Sequence, residues 1–184
     1  SRAFNEVAVH RSNVGSMIEF EVRINGEYLY NQRADGLIVA TPTGSTAYAL
    51  SAGGPIVHPS LNVISLVPVC PHTLSNRPIV VAGESQIEIL THRNNEDVRV
   101  RFDSHTFFDL HLHDTLMVTA CSRPVCLLHP VGHSYYHTLR EKLAQLMFVR
   151  IGSNLPPVKT VEEDEARVAE LLKSCPLGGL IVFN

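Results

Sequence analysis

The sequence predicts a mainly β domain, a sandwich or barrel-like set of short strands, followed by a smaller α/β tail. Three observations predict it. Apolar and polar residues alternate with period two in several stretches before residue 121, the pattern of strands with one buried face. Turn-forming residues separate these stretches at a spacing of roughly 8–12 residues, as in sandwiches and barrels. After residue 133 the apolar spacing changes to three and four, which is helical.

Each element follows in order. Ile18, Phe20, Val22 and Ile24 alternate with Glu19, Glu21 and Arg23. Asn25-Gly26 comes next, the pair that a type I′ hairpin turn prefers, and Tyr28–Tyr30 begin the return strand. Leu37–Ala40 and Val63–Val67 are nearly continuous apolar runs, suited to strands covered on both faces. Between them, Thr41–Pro55 opens with hydroxyls, Pro and Gly, continues through small helix-compatible residues, and stops at Gly53-Gly54-Pro55. That order predicts a strand, a Gly-containing loop and a short helix. Ile87 and Ile89 mark a further strand, Asn94-Asn95 a turn, and Val98, Val100 and Phe102 alternate with Arg99, Arg101 and Asp103. Leu116, Val118 and Ala120 alternate once more.

In the tail, Ser134–Phe148 carries Leu139, Leu143 and Leu146/Met147 at helical spacing, and Asn154–Pro157 reads as a linker. Thr160 and Glu163 form a capping box for a second helix whose apolar stripe is Val161, Val168, Leu171 and Leu172. Pro176 and Gly178 end that helix, and Leu180–Phe183 is a buried strand.

Composition narrows the function classes. Of 184 residues, 45% are hydrophobic and 18% charged, which excludes disorder. A net charge of −3 gives no basic field for nucleic acid and no polybasic membrane patch. No apolar run approaches the roughly 18 residues of a membrane helix. Ser1 is neither an initiator Met nor the start of a signal peptide, and both ends read as cut from a longer chain. Four cysteines (Cys70, Cys121, Cys126, Cys175) without a CxxC pair predict buried thiols in a reducing cytoplasm. Every Lys lies after residue 140, and every His and Tyr before it. Such a change is the kind that marks a segment of different origin.

The Thr41–Pro55 loop is the first candidate for chemistry. It offers backbone N–H groups, a helix N-terminus and the hydroxyls of Thr43, Ser45 and Thr46, suited to a phosphate, ribose or carboxamide. It is neither a Walker A loop nor a nucleophile elbow. A plain strand-to-helix turn is the alternative. Asp35, in Arg33-Ala34-Asp35-Gly36, could accept hydrogen bonds from an amide or ribose, or simply make a turn. Asn5-Glu6 pairs an amide with a carboxylate, suited to an adenine edge and a ribose diol, or to an exposed strand start. His111 and His113 would share one strand face, near Asp103 and His105. Their spacing fits no standard zinc pattern, and no metal ligand is assigned.

Asn5-Glu6, Arg33-x-Asp35-Gly36, Thr41-Pro-Thr-Gly-Ser-Thr-Ala-Tyr48 and Ser51-Ala-Gly-Gly54 resemble the carboxyl-terminal domain of bacterial NAD kinases. The similarity continues through Leu66–Pro78, His129-Pro130 and Tyr135–Leu143, which implies residues 1–143 as one domain and 144–184 as a tail of different origin. It implies a β-sandwich with a short helix after the Thr-Pro-Thr-Gly loop, and an enzyme that phosphorylates NAD to NADP with ATP and a divalent metal such as Mg. It implies that Asn5 and the Thr46–Ala47 edge hold the adenine and that Glu6 holds the ribose hydroxyls. Tyr48 would line the cleft. Asp35 and Ser51 would bind the nicotinamide end, Asp35 across a subunit interface of a homodimer or homotetramer. Arg33 and His72 would lie near the nucleotide.

Four departures qualify the likeness. His105 stands where the family often has Gln, after the pair matching Asp103-Ser104, and Ser16 stands where relatives can carry a nucleotide contact. The Gly-Gly-Asp-Gly-Thr motif that holds the family's general base is absent from this chain, so no catalytic residue is assigned and the chain alone is expected to be inactive. The tail instead resembles the amino-terminal opening of family 3 glycoside hydrolases, without that family's catalytic residues.

A β-sandwich interaction module without catalysis and a glycoside hydrolase fragment are the alternative readings. As a hypothesis, residues 145–184 pack poorly on the β domain, because their composition belongs to another context. Hydrogen exchange should then be faster throughout the tail than in the strands before residue 121; equal protection would count against a foreign tail.

Overall fold

A computed structural model describes residues 1–11, 17–72, 77–91, 98–103, 105–111, 114–123, 125–145, 148–151 and 179–182. The chain divides into two compact units, Ser1–Val125 and Cys126–Asn184.

In the first unit the period-two segments form two antiparallel sheets. One runs β6 (Ile79–Ala82), β5 (Val63–Val69), β4 (Gly36–Ala40), β1 (Glu6–Arg11), β8 (Val98–Phe102) and β9 (Thr106–Leu110). The other runs β10 (Thr115–Val118), β7 (Ile87–Thr91), β2 (Ile18–Ile24) and β3 (Glu27–Ala34). Register sets the faces. Val7 and Val9 of β1, Leu37 and Val39 of β4, and Val98 and Val100 of β8 meet Ile18, Phe20, Val22, Ile87 and Ile89 of the second sheet in one buried cluster. Ile18, Phe20, Val22, Leu37, Ile87 and Ile89 are fully buried, each contributing about 1.5–3 kcal/mol by burial. The expected mainly β sandwich is the architecture observed.

The hairpin at Asn25-Gly26 forms as expected. Both residues have positive φ, 53° and 81°, as a type I′ turn requires. A second corner is tighter. Asp35 alone separates β3 from β4, so the chain changes sheets across one residue. A Cβ on Gly36 would overlap the Val9 carbonyl, which explains the glycine.

On its other face the six-stranded sheet carries a small layer. Ala8, Ile38, Ala40 and Val67 pack under Ala49 of α1 (Tyr48–Ser51), preceded by a single 3₁₀ turn, Thr43–Thr46. Gly53, at φ 82°, stops the helix with its N–H on the Leu50 carbonyl. The strand, loop and short helix expected for residues 41–55 are all present.

In the second unit, α2 spans Tyr135–Gln145, and Ser134 Oγ accepts the His137 N–H at 3.3 Å as its cap. β11 (Phe148–Ile151) pairs in parallel with β12 (Gly179–Val182). The helix was expected to reach Phe148. It ends earlier because Phe148-Val149-Arg150-Ile151 is aromatic and β-branched, and extended pairing suits it better. The expected strand over Leu180–Phe183 begins one residue sooner, and Phe183 is outside the described residues. So are Leu146, Met147, the Asn154–Pro157 linker and the second helix with Thr160, Glu163, Val161, Val168, Leu171 and Leu172.

Two further expectations change. Cys70, Cys121 and Cys126 are exposed rather than buried, because Cys70 sits in a left-handed turn after β5 and the other two lie in irregular chain; Cys175 is outside the described residues. β10 ends at Val118, leaving Ala120 beyond it. Among the described residues no helix is long and apolar enough to cross a membrane.

Candidate functional site

The site begins at the entry to β1. Phe4, Asn5 and Glu6 all donate their backbone N–H groups to the Asp103 carboxylate, Asn5 at 2.7 Å and Glu6 at 3.0 Å. Asp103 returns its own N–H to the Glu6 carbonyl at 3.1 Å. From the other side, Thr41 donates its N–H to the Asn5 carbonyl at 2.9 Å and its hydroxyl to the Phe4 carbonyl at 2.8 Å. Gly44 closes the contact. A Cβ there would overlap the Asn5 carbonyl and lie 2.9 Å from its Cα. The loop therefore packs backbone against backbone on residues 4–6, which only glycine permits.

This clamp brings five expected residues to one place. Asn5 and Glu6 lie on one side of the loop, and Thr46, Ala47 and Tyr48 follow Gly44 on the other. Glu6 and Tyr48 line a cleft of about 370 Å³ with Ala8, His10, Arg101 and Asp103. Glu6 also lines a second cleft of about 660 Å³ with Phe4, Thr41 and Thr43. The Asn5 side-chain amide has no partner among the described residues. Among the described residues, buried side-chain atoms without a partner occur on Glu6, Tyr30, Gln32 and Ser65, and of these residues Glu6 alone lines either of the two clefts. A buried carboxylate oxygen without a partner has capacity to accept a donor from elsewhere.

The other expected residues lie at the far end of the same strands. Glu6 pairs with Ala40 and His10 with Gly36, so Gly36 is about 13 Å from Glu6 along β1, at about 3.3 Å per residue, and Asp35 lies one residue beyond it. The His72 N–H donates to the Arg33 carbonyl at 3.0 Å, and the Asp35 N–H to the Val69 carbonyl at 2.9 Å. Arg33, Asp35 and His72 thus form a second, exposed cluster. Neither Arg33 nor Asp35 makes an ion pair among the described residues. Ser51 is exposed on α1.

Several expectations for the loop are corrected. The N–H groups of Gly44, Ser45 and Ala47 are spent inside the 3₁₀ turn, and α1 has only four residues, so neither forms an anion cradle. Ser45 is fully buried, its hydroxyl donating to the Pro42 carbonyl and accepting the Val57 N–H. Thr46 Oγ1 donates to the Thr43 carbonyl. Of the three hydroxyls, those of Ser45 and Thr46 hold the turn together. His111 does not lie on a strand either. β9 stops at Leu110, and His111 turns back with its N–H on Asp114 Oδ2 at 2.8 Å. His113, Ser104 and Ser16 are outside the described residues, while His105 is exposed in the β8–β9 turn. Among the described residues no group of three or more His, Cys, Asp or Glu could hold a metal ion.

Sequence reasoning missed Asp103, His10 and Arg101 as cleft residues. The available clue was alternation. Glu6, Ala8 and His10 share one face of β1, and Arg101 stands opposite Ala8 on β8.

The two carboxylates at the clamp titrate in opposite directions. Burial pushes Glu6 up, and the Asp103 charge adds to it. Burial also pushes Asp103 up, but its three backbone N–H donors and His105 outweigh this and hold it low.

Relatives with known structures and names share this domain. A family model described as the ATP-NAD kinase C-terminal domain matches residues 4–129. The chain is 60% identical over 141 residues to an NAD kinase of Nitrosomonas europaea, covering 77% of this chain and 47% of that one. It is 64% identical to an NAD kinase of Nitrosospira multiformis, covering 77% and 48%. Among solved structures, yeast NADH kinase complexed with NADH matches at 39% identity and a TM-score of 0.60, covering 64% of this chain and 34% of that one. An Archaeoglobus fulgidus NAD kinase in complex with ATP matches at 35% identity and 0.60, covering 65% and 46%. The chain spans about half the length of the curated relatives it matches. These matches give no support to a glycoside hydrolase origin for the tail.

The clamp makes a pH prediction. Asp103 has a folded pKa below its unfolded one, so its stabilisation is complete above the ordinary Asp range and is lost as pH falls through the folded value. Asp103→Asn should lower stability at pH 7 by roughly 1–3 kcal/mol, because an amide nitrogen then faces backbone donors. Urea midpoints measured from pH 7 to 3 should decline less in the variant than in the native chain. Identical acid profiles would refute this role.

Proposed function

The chain belongs to the ATP-NAD kinase family, and from that premise we propose that it is the dinucleotide-binding half of an enzyme that makes NADP from NAD and ATP. The observation that carries the reading is the buried Oε2 of Glu6, without a partner among the described residues, on a side chain that lines the cleft beside Tyr48. A ribose diol offers the donors that oxygen lacks. Asn5, with its free amide, and the Thr46–Ala47 edge then hold the adenine, and Tyr48 lines the cleft. Asp35 and Ser51 take the nicotinamide end, with Arg33 and His72 beside the nucleotide.

In the reaction, the adenosine 2′-hydroxyl oxygen bonds to the γ-phosphorus of ATP, the bridging P–O bond to the β-phosphate breaks, and ADP leaves. Glu6 orients that hydroxyl. The hydroxyl proton passes to a general base, which the Gly-Gly-Asp-Gly-Thr motif of the family's other half would supply. The described residues offer no cluster able to ligate the divalent metal. The nucleotide phosphates and that other half would hold it.

The protein works in the cytoplasm as a homodimer or homotetramer, with Asp35 completing a neighbour's site. Edge strand β9, with Phe107 54% and Phe108 51% exposed, supports association. Residues 1–143 carry this function, and 144–184 are an unrelated tail; the matched stretch of 141 residues supports that division.

Calorimetry tests the reading. NAD or NADP should raise the melting temperature of this chain by binding only the folded state, and Glu6→Ala should abolish most of the rise. The chain alone should form no NADP in a coupled assay with ATP and Mg. A melting temperature indifferent to both dinucleotides would favour the interaction-module reading.

A further inference from the structure

The cleft beside Glu6 is richer in basic side chains than a bare diol requires. His10, Arg11 and Arg101 line it against two carboxylates, Glu6 and Asp103. Asp103 does not balance a cation there, because both its oxygens are taken by the N–H groups of Phe4, Asn5 and Glu6. His10 donates from Nδ1 to the Arg11 carbonyl at 2.7 Å, which fixes its tautomer and leaves Nε2 available.

β8 carries two arginines on this face, and they differ. Arg99 is held: its Nε donates to Asp109 Oδ1 at 2.7 Å, and its guanidinium lies 4.2 Å from the centre of the Phe107 ring. Arg101 is exposed and has no hydrogen-bond, ion-pair or ring partner among the described residues. Arg101 pairs with Ala8, and the Asp103 N–H bonds the Glu6 carbonyl. Arg101 is therefore the diagonal neighbour of Glu6 on the same sheet face. Diagonal neighbours are about 7–8 Å apart between backbones, within reach of a long side chain.

We propose that Arg101 binds the phosphate monoester on the adenosine ribose and so sets the selectivity of this site for the phosphorylated over the unphosphorylated dinucleotide. The proposal rests on the placement of the ribose at Glu6 argued above. A ribose held by Glu6 presents its hydroxyls, or a phosphate replacing one of them, to the neighbouring side chain on the sheet. A carboxylate alone would repel that phosphate. A guanidinium with a free fork gives it two N–H donors.

The experiment is titration calorimetry of the whole chain with NADP and with NAD, reading the ratio of the two affinities. Arg101→Gln should cut the preference for NADP by about tenfold, the loss of a charge-assisted hydrogen-bonded pair. Arg101→Lys should cut it by about threefold. The NADP affinity of the native chain should fall more steeply with salt than its NAD affinity, and that excess should vanish in Arg101→Gln. Arg99→Gln, which removes the arginine already held, should leave the ratio alone. An unchanged ratio in Arg101→Gln, with both ligands still binding or both weakened equally, overturns this proposal and leaves the ribose placement standing. Failure of the native chain to bind either ligand overturns that placement, and this inference with it.

Discussion

Three amide groups in succession, on Phe4, Asn5 and Glu6, converge on the Asp103 carboxylate, and the geometry of the site depends on that convergence. It fixes the point at which β1 enters the centre of the larger sheet, between β4 and β8. The loop after β4 can then lie on the same three residues, with Gly44 in contact with the Asn5 backbone. Asn5, Glu6 and Tyr48 come from segments some forty residues apart in the chain, and this double contact makes them neighbours.

The same contact separates the two acids by environment. Asp103 receives more donors than a carboxylate usually finds and is held anionic. Glu6, next to it, is buried with one oxygen bare and resists ionising. One acid is a structural anchor because its valences are full; the other is a ligand group because its valences are open. The division of labour comes from backbone geometry and not from residue type.

Much of the domain could be read from residues in order. Period two identified β2, β7 and β8, Asn25-Gly26 identified its hairpin, and the Gly-Gly-Pro stop identified the end of α1. These are local properties, written in neighbouring residues. The contribution of Asp103 was not readable, since it depends on β8 pairing with β1 across more than ninety residues. Arg99 and Arg101 look equivalent in the sequence, and only Asp109 and Phe107 on β9 tell them apart. Ser45 misled for the opposite reason: a hydroxyl in a glycine-containing loop suggests a ligand, but here it ties Pro42 to Val57. β11 was hidden because its first residue, Phe148, fits the helical spacing of the apolar residues before it, and its parallel partner β12 lies some thirty residues on.

The corner at Asp35 carries a further consequence. Its neighbours Ala34 and Gly36 belong to different sheets, so the connection has no slack. Along β4 the faces alternate, Leu37 and Val39 into the sandwich and Ile38 and Ala40 under α1. One residue inserted or deleted at the corner would invert that alternation along the whole strand. It would also shift Thr41 and Gly44 relative to Asn5. Chain length at this point is therefore constrained as tightly as composition. Point substitution can vary the corner, but drift in length cannot, and homologous chains should tolerate gaps almost anywhere else in the domain sooner than between these two strands.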